Sequence, residues 1–391
     1  MTANFIGKWQ GDIEIPQAAL SIIIDLHEIT GTLSVPIQGL IDYPFQSVHY
    51  NKDTMTVEVN LNGSPIRITG KLEGNKITGT FTQNGQSYPI AFSKHVPEEI
   101  TYEEISIAVE GGNLKAALQL TEEKHAPIAI IIAGSGPTTK DGNTMGMGEN
   151  NSLKMLAEGL AMQGIASVRF DKRGIAENAS LVSSEEEFTI DQYVKDVEQL
   201  IKFAKEDNRF TAVHIIGHSE GSLIGMMAAK NEEVDSFISL AGAGRAADVI
   251  LLEQLQDQLT PELLSKTEQI LSSLKAGKEV REVPTELQAL FRPSVQQYMI
   301  SWLKQHPTSL IKQLSMPVLV VQGTTDLQVN YVDAEALKAA NETAKLVYID
   351  GMNHVLKSAP VDREANIATY SNPTLPLADT LVETITEFFE N

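Results

Sequence analysis

The chain has 391 residues, with 30 lysines and arginines against 51 aspartates and glutamates, and no cysteine. A net charge of −21 without any basic run argues against nucleic acid and against an anionic membrane surface as partners. The missing thiols exclude disulfides, thiolate chemistry and cysteine-based zinc sites, and the length is ample for a large core. No stretch is apolar enough over a bilayer's width to span it. Residues 1–7 run into a strand-like pattern without the regions of a signal peptide. A soluble cytoplasmic protein is expected, and an exported mature form would read the same way.

The first elements are strands. Residues 22–27, 54–61, 66–72 and 77–82 alternate apolar and polar side chains, and Asn62-Gly63, Glu73-Gly74-Asn75 and Asn84-Gly85 supply turns. This meander predicts a small antiparallel β-barrel or sandwich over 1–93. Gly7-Lys8-Trp9 resembles the Gly-x-Trp opening of lipocalin-like barrels. Packing or dimerisation is the expected role of such a module, ahead of binding an apolar ligand. Residues 94–102, with Pro97 followed by Glu98-Glu99, read as a linker.

From residue 103 the period changes. Strands are expected at 104–109, 114–120 and 128–133, a helix at 152–163 and a strand at 166–170. A helix at 190–205 carries Ile190, Tyr193, Val194, Val197, Leu200 and Ile201 on one face. Strands at 213–216 and 236–241 follow. The alternation predicts a mostly parallel sheet covered by helices on both faces. At about 245–315 only helices appear: Thr260-Pro261 opens one that Gly277 closes, and Pro293-Ser294 opens another. Strands then return at 316–322 and 346–349.

Chemistry concentrates where strands end. Gly217-His218-Ser219-Glu220-Gly221 joins an apolar strand to a helix. The pentapeptide alone arises by chance in about one chain in ten of this length, but on a strand-to-helix turn it exposes a serine hydroxyl to free helix N–H groups. A serine needs a base, and the base needs an acid. Asp326 follows the strand ending at Gly323, and His354 follows the strand ending in Asp350-Gly351. Asp333 reads instead as the N-cap of a helix at 334–341, and Asp350 as a turn former. Seven other histidines lie upstream, within a strand, on a helix end, or at the variable elbow position. The oxyanion needs two N–H donors: Glu220, which follows the serine, and Ser135 or Gly136 in Gly134-Ser135-Gly136-Pro137, with Ser135 preferred.

These stretches, together with Phe170-Asp171-Lys172-Arg173-Gly174, resemble the α/β-hydrolases of the bacterial esterase and serine-aminopeptidase-like branch over residues 105–391. The resemblance implies an α/β-hydrolase domain over 103–391 with the helical insertion as its cap. Phe291, Tyr298, Met299 and Trp302 are then candidates for an acyl pocket, with packing of the cap as the competing role. Asp171 and Arg173 are expected to form an ion pair or anchor their loop.

The reading is a serine hydrolase, foremost a carboxylesterase for short- to medium-chain esters, with Ser219 as nucleophile, His354 as base and Asp326 as acid. No cofactor or metal is expected. The partner is a small-molecule ester, and a homodimer stays open. An acyl-CoA thioesterase, a proline-type aminopeptidase and a lipid- or glycan-binding protein on an inactive scaffold are the alternatives.

Overall fold

The computed structural model describes residues 5–15, 18–35, 40–61, 63–94, 102–145, 148–256 and 258–390. The chain divides into two compact units, Met1–Ile100 and Thr101–Asn391. Most of the expected linker, and Asn62 of the expected Asn-Gly turn, lie outside the described residues.

Among the described residues the first unit holds nine strands: β1 (Gly7–Ile15), β2 (Ala18–Leu26), β3 (Gly31–Val35), β4 (Leu40–Pro44), β5 (Ser47–Asn51), β6 (Thr54–Leu61), β7 (Ser64–Glu73), β8 (Lys76–Gln83) and β9 (Gln86–Lys94). All pairings are antiparallel, and β1 pairs with both β2 and β9. The order is therefore 4-3-2-1-9-8-7-6-5, one curled sheet rather than two stacked ones. Period-two alternation turns Trp9, Ile13, Ile24, Ile68 and Phe92 into a single apolar interior. Trp9 is buried there; its indole N–H donates to the Phe5 carbonyl at 2.7 Å, and Lys94 lies 4.3 Å over the ring.

The second unit holds an eight-stranded sheet. Its strands are β10 (Glu103–Val109), β11 (Gly112–Gln119), β12 (Ala126–Ile132), β13 (Ala166–Phe170), β14 (Phe210–His218), β15 (Ser236–Leu240), β16 (Val318–Gly323) and β17 (Lys345–Ile349), in the order 10-11-13-12-14-15-16-17. The strands from β12 to β17 pair in parallel, and β10 and β11 form an antiparallel edge. The helices are α1 (Ser152–Met162), α2 (Ile190–Glu206), α3 (Glu220–Asn231), α4 (Ala247–Leu255), α5 (Pro261–Lys275), α6 (Gln288–Phe291), α7 (Gln296–Leu303), α8 (Pro307–Ile311), α9 (Tyr331–Ala340), α10 (Arg363–Ala368) and α11 (Leu381–Phe389).

The apolar run of β12 shows why both faces are covered. Ile128, Ile130 and Ile132 join the core under α2 and α3, while Ala129 and Ile131 join the one under α1 and α11. Helices α4 to α8 interrupt the alternation between β15 and β16, and the first four share a separate apolar cluster. Thr260 caps α5, accepting from the Leu263 N–H, and Pro261 occupies its first turn. Two local expectations differ. Asn330, not Asp333, caps α9, accepting from the Val332 N–H at 2.9 Å. The helix expected after Pro293 begins as a 3₁₀ turn and becomes α-helical only at Gln296.

Candidate active site

The site is built at the C-terminal edge of the parallel strands, the edge where open α/β sheets place ligands. β14 ends at His218 and α3 starts at Glu220, so Ser219 alone makes the turn, with φ 56° and ψ −119°. That backbone is strained for a residue with a Cβ. Its flanking glycines permit strand and helix to close up. A Cβ on Gly217 would lie 2.4 Å from the Gly221 carbonyl oxygen, and one on Gly221 would lie 2.2 Å from that of Ile132.

The three residues expected to act together do meet. His354 Nε2 is 3.1 Å from Ser219 Oγ, and Nδ1 is 2.9 Å from Asp326 Oδ2. The imidazole is 6% exposed and the carboxylate 0%. Asp326 Oδ1 accepts from the Gln328 and Val329 N–H groups at 2.8 and 3.0 Å, which fixes the carboxylate's rotation. Since a carboxylate accepts, its partner nitrogen Nδ1 carries the proton, and the Nε2 lone pair faces the serine hydroxyl. Asp350, the rival acid, accepts from the Thr324 hydroxyl at 3.1 Å on its turn, and among the described residues no hydrogen bond joins it to His354.

His218 packs beside this relay, its ring 5.0 Å from that of His354. Its Nε2 lies 2.8 Å from the His354 carbonyl oxygen, so Nε2 carries the proton and Nδ1 keeps a lone pair. Among the described residues that Nδ1 has no hydrogen-bond partner. Burial pulls the pKa of His218 down to about 4, which keeps the ring neutral.

Behind the serine lies a buried polar cluster that sequence reasoning missed. The Lys172 ammonium donates to the Gly134 carbonyl at 2.6 Å and to Glu220 Oε2 at 2.9 Å, and it sits 4.7 Å over the Tyr193 ring. Tyr298, on α7, donates its hydroxyl to the other oxygen of Glu220. Burial drives the Tyr298 phenol well above its ordinary pKa, and the neighbouring Glu220 charge pushes the same way. In a trans peptide a carbonyl and the following N–H point in opposite directions. Lys172 therefore turns the Ser135 N–H away from itself. Neither that N–H nor that of Glu220 is taken by a backbone carbonyl among the described residues. Lys172 had only its place beside Asp171 and Arg173 as a signal, and Tyr298 only its aromatic character.

Two small cavities meet over Ser219 and share Ser135 and Gln328. One, about 70 Å³, is lined by Ile250 and Leu251 of α4, Trp302 of α7, Leu223 and Val329, with Glu220 and Arg245 in its wall. The other, about 80 Å³, is lined by Thr138, Thr144, Asn150, His218, His354 and Tyr370.

Some expectations need correction. Of the four expected pocket residues, Trp302 lines one of these two cavities, and the other three are in neither wall. Phe291 and Met299 are buried in the separate apolar cluster of α4 to α7 beside Leu271 and Leu303, and Tyr298 is engaged with Glu220. Gly136, the second-choice oxyanion donor, has φ +67° and open space where a Cβ would stand. Asp171 and Arg173 do not pair with each other. Asp171 accepts from the Lys140 N–H at 2.7 Å, whereas Arg173 forks onto Asp196 at 2.5 and 2.7 Å. Burial outweighs these partners and holds both carboxyls above the ordinary range. Asp333 accepts from the Gly244 and Arg245 N–H groups and from the Arg245 guanidinium, tying the root of the cap to α9. Among the described residues no cluster of acidic and histidine side chains is arranged to hold a metal. No helix there is long and apolar enough to cross a membrane.

Residues 146–358 match the hydrolase family described as serine aminopeptidase, S33. Esterase EstD of Thermotoga maritima is 27% identical over 304 residues, covering 75% of this chain and 71% of its own. Among solved structures, Est1E from Butyrivibrio proteoclasticus aligns at TM-score 0.48 and 20% identity, over 74% of this chain and 99% of its own. The Pyrococcus furiosus esterase Pf2001 aligns at TM-score 0.46 and 12% identity, over 76% and 96%. With more than half of its residues matched by the family model, the chain belongs to the serine aminopeptidase S33 family of hydrolases.

Proposed function

We propose that the protein is a serine carboxylesterase that cleaves short- to medium-chain esters through an acyl-enzyme on Ser219. The observation that carries this reading is the hydrogen-bonded relay from Ser219 through His354 to Asp326. Ser219 Oγ attacks the ester carbonyl while His354 Nε2 takes its proton, and Asp326 faces the resulting imidazolium. The Glu220 and Ser135 N–H groups receive the negative carbonyl oxygen. Collapse expels the alcohol, which leaves with the proton from His354, and water then repeats the sequence on the acyl-enzyme.

The cavity walls favour esters over the alternatives. A peptide with a free amino end needs a carboxylate for its ammonium. In the two walls the carboxylate among the described residues is that of Glu220, already accepting from Lys172 and Tyr298. Acyl-CoA brings several phosphate charges to a chain of net charge −21, and Arg245 is already paired with Asp333 and Glu253. The resemblance to Esterase EstD supports the same choice. We place the β-domain at 1–93, the linker at 94–102 and the hydrolase domain at 103–391, with its cap at about 245–315.

A panel of p-nitrophenyl esters, acyl-CoAs and aminoacyl anilides tests the reading. The short- and medium-chain esters should be turned over fastest. Faster cleavage of the anilides would replace the esterase with an aminopeptidase.

A further inference from the structure

We propose that the polar cavity beside His354 is a leaving-group subsite for a neutral alcohol that carries a further hydroxyl, as in esters of polyols and sugars. The inference rests on the esterase reading above.

Proton bookkeeping decides which cavity takes which half of the ester. The departing alkoxide must collect a proton from His354 Nε2, so the alcohol lies on the imidazole's side. His354 lines the polar cavity, whereas Glu220 and the apolar side chains line the one under the cap. The acyl group therefore goes under the cap and the alcohol goes to the polar side.

The polar wall offers an acceptor and a donor that one hydroxyl can satisfy together. The acceptor is Nδ1 of His218: the residue as a whole is 7% exposed, and the nitrogen itself is buried and unpartnered among the described residues. A buried acceptor left unpaired is costly, so the site favours an occupant that donates. The donor is the Tyr370 hydroxyl. It accepts from Gln328 Nε2 at 3.4 Å, and its own hydrogen has no acceptor among the described hydrogen bonds. Burial moves the phenol up to about 12, so it keeps that hydrogen. A substrate hydroxyl is the complement of such a pair, giving its proton to His218 and accepting from Tyr370.

Position and charge narrow the class. His218 Nδ1 and Ser219 Oγ lie 3.5 and 3.6 Å from the point where a Cβ on Gly134 would stand. Acceptor and nucleophile thus lie close to one spot, so a hydroxyl bound to His218 would be near the scissile oxygen. Apart from the relay histidine, Thr138, Thr144 and Asn150 continue the wall with neutral groups, so a charged alcohol would be desolvated without a counter-charge.

The test compares butanoate esters of propan-1-ol, glycerol and choline on the full chain. Glycerol 1-butanoate should exceed propyl butanoate in kcat/KM by about tenfold, the worth of one net hydrogen bond at the upper end of its range, and the choline ester should be the poorest. His218→Phe and Tyr370→Phe should each bring the glycerol-to-propyl ratio towards one. That ratio is taken within one variant, so a general loss of rate cancels. Turnover of all three esters with a wild-type ratio of one or below would overturn the subsite and leave the esterase reading standing. So would an unchanged ratio in both folded variants, or choline as the best alcohol. No turnover of any ester would overturn both.

Discussion

Lys172→Met isolates the wall behind the oxyanion. Methionine nearly matches the lysine stem but donates nothing, so two buried contacts vanish: 2.6 Å to the Gly134 carbonyl and 2.9 Å to Glu220. Removing one partner of a buried pair costs about 3–5 kcal/mol of stability. The Gly134–Ser135 peptide also loses what holds its plane, and with it the aim of the Ser135 N–H. Loss of one oxyanion donor costs about 10²–10³ in kcat. We expect a fall of about 10² per folded molecule with KM nearly unchanged, because the anionic oxygen exists only after attack. Steady-state hydrolysis of p-nitrophenyl butanoate, on protein shown by circular dichroism to be folded, reads the rate. Affinity for a boronic acid that mimics the tetrahedral state should fall by a similar factor. Adding Glu220→Gln removes the stranded charge, and it should restore stability without restoring kcat. Wild-type kcat and boronate affinity in folded Lys172→Met, or a double variant that regains its rate, would refute the positioning role.

Other perturbations probe the relay and the buried histidines. Asp326→Asn should lower kcat by about 10⁴, whereas Asp350→Asn should leave it nearly unchanged; the reverse order at equal stability would move the acid to Asp350. His214 is stacked on Phe389 at 4.0 Å and bonded to Ser236 Oγ at 2.8 Å, and burial holds its pKa at about 4 against 6.5 when unfolded. As pH falls from about 6.5 to about 4 the unfolded chain binds the proton first, so stability is lost across that window, by about 3 kcal/mol from this one ring. A Tm series from pH 4 to 7 should therefore be flatter in His214→Gln than in the parent, and equal slopes would show that His214 does not carry the loss.

How much was legible follows from the range of each signal. Ser219, Asp326 and His354 each sit in a loop directly after a β-rich run, so strand ends and turn residues brought them into view before any contact was known. The parallel sheet was legible for the same reason, since buried strands and amphipathic helices alternate with clear periods. The Lys172–Glu220–Tyr298 cluster was not. Its members lie far apart in the chain, and only the packing of the cap and of the loop after β13 brings them within hydrogen-bond reach. The partner of Arg173, Asp196, was out of reach for the same reason, because adjacency in Asp171-Lys172-Arg173 says nothing about where a long side chain ends up. Phe291 and Met299 show a further limit. Aromatic and large apolar side chains at helical spacing mark a buried face, but the cap has an interior of its own to fill, and the pattern does not separate that interior from a pocket wall. In the β-domain, alternation found the strands, while closure of the meander by β1 against β9 depends on pairing between the two ends of the unit.

The most direct measurement of the central claim is intact-protein and peptide mass spectrometry after reaction with a fluorophosphonate. A single phosphonyl adduct is expected, carried by Ser219 within the Gly217–Gly221 segment, formed at a rate that drops sharply in His354→Ala and absent in Ser219→Ala. An adduct on another serine, or labelling that survives Ser219→Ala in folded protein, would contradict it.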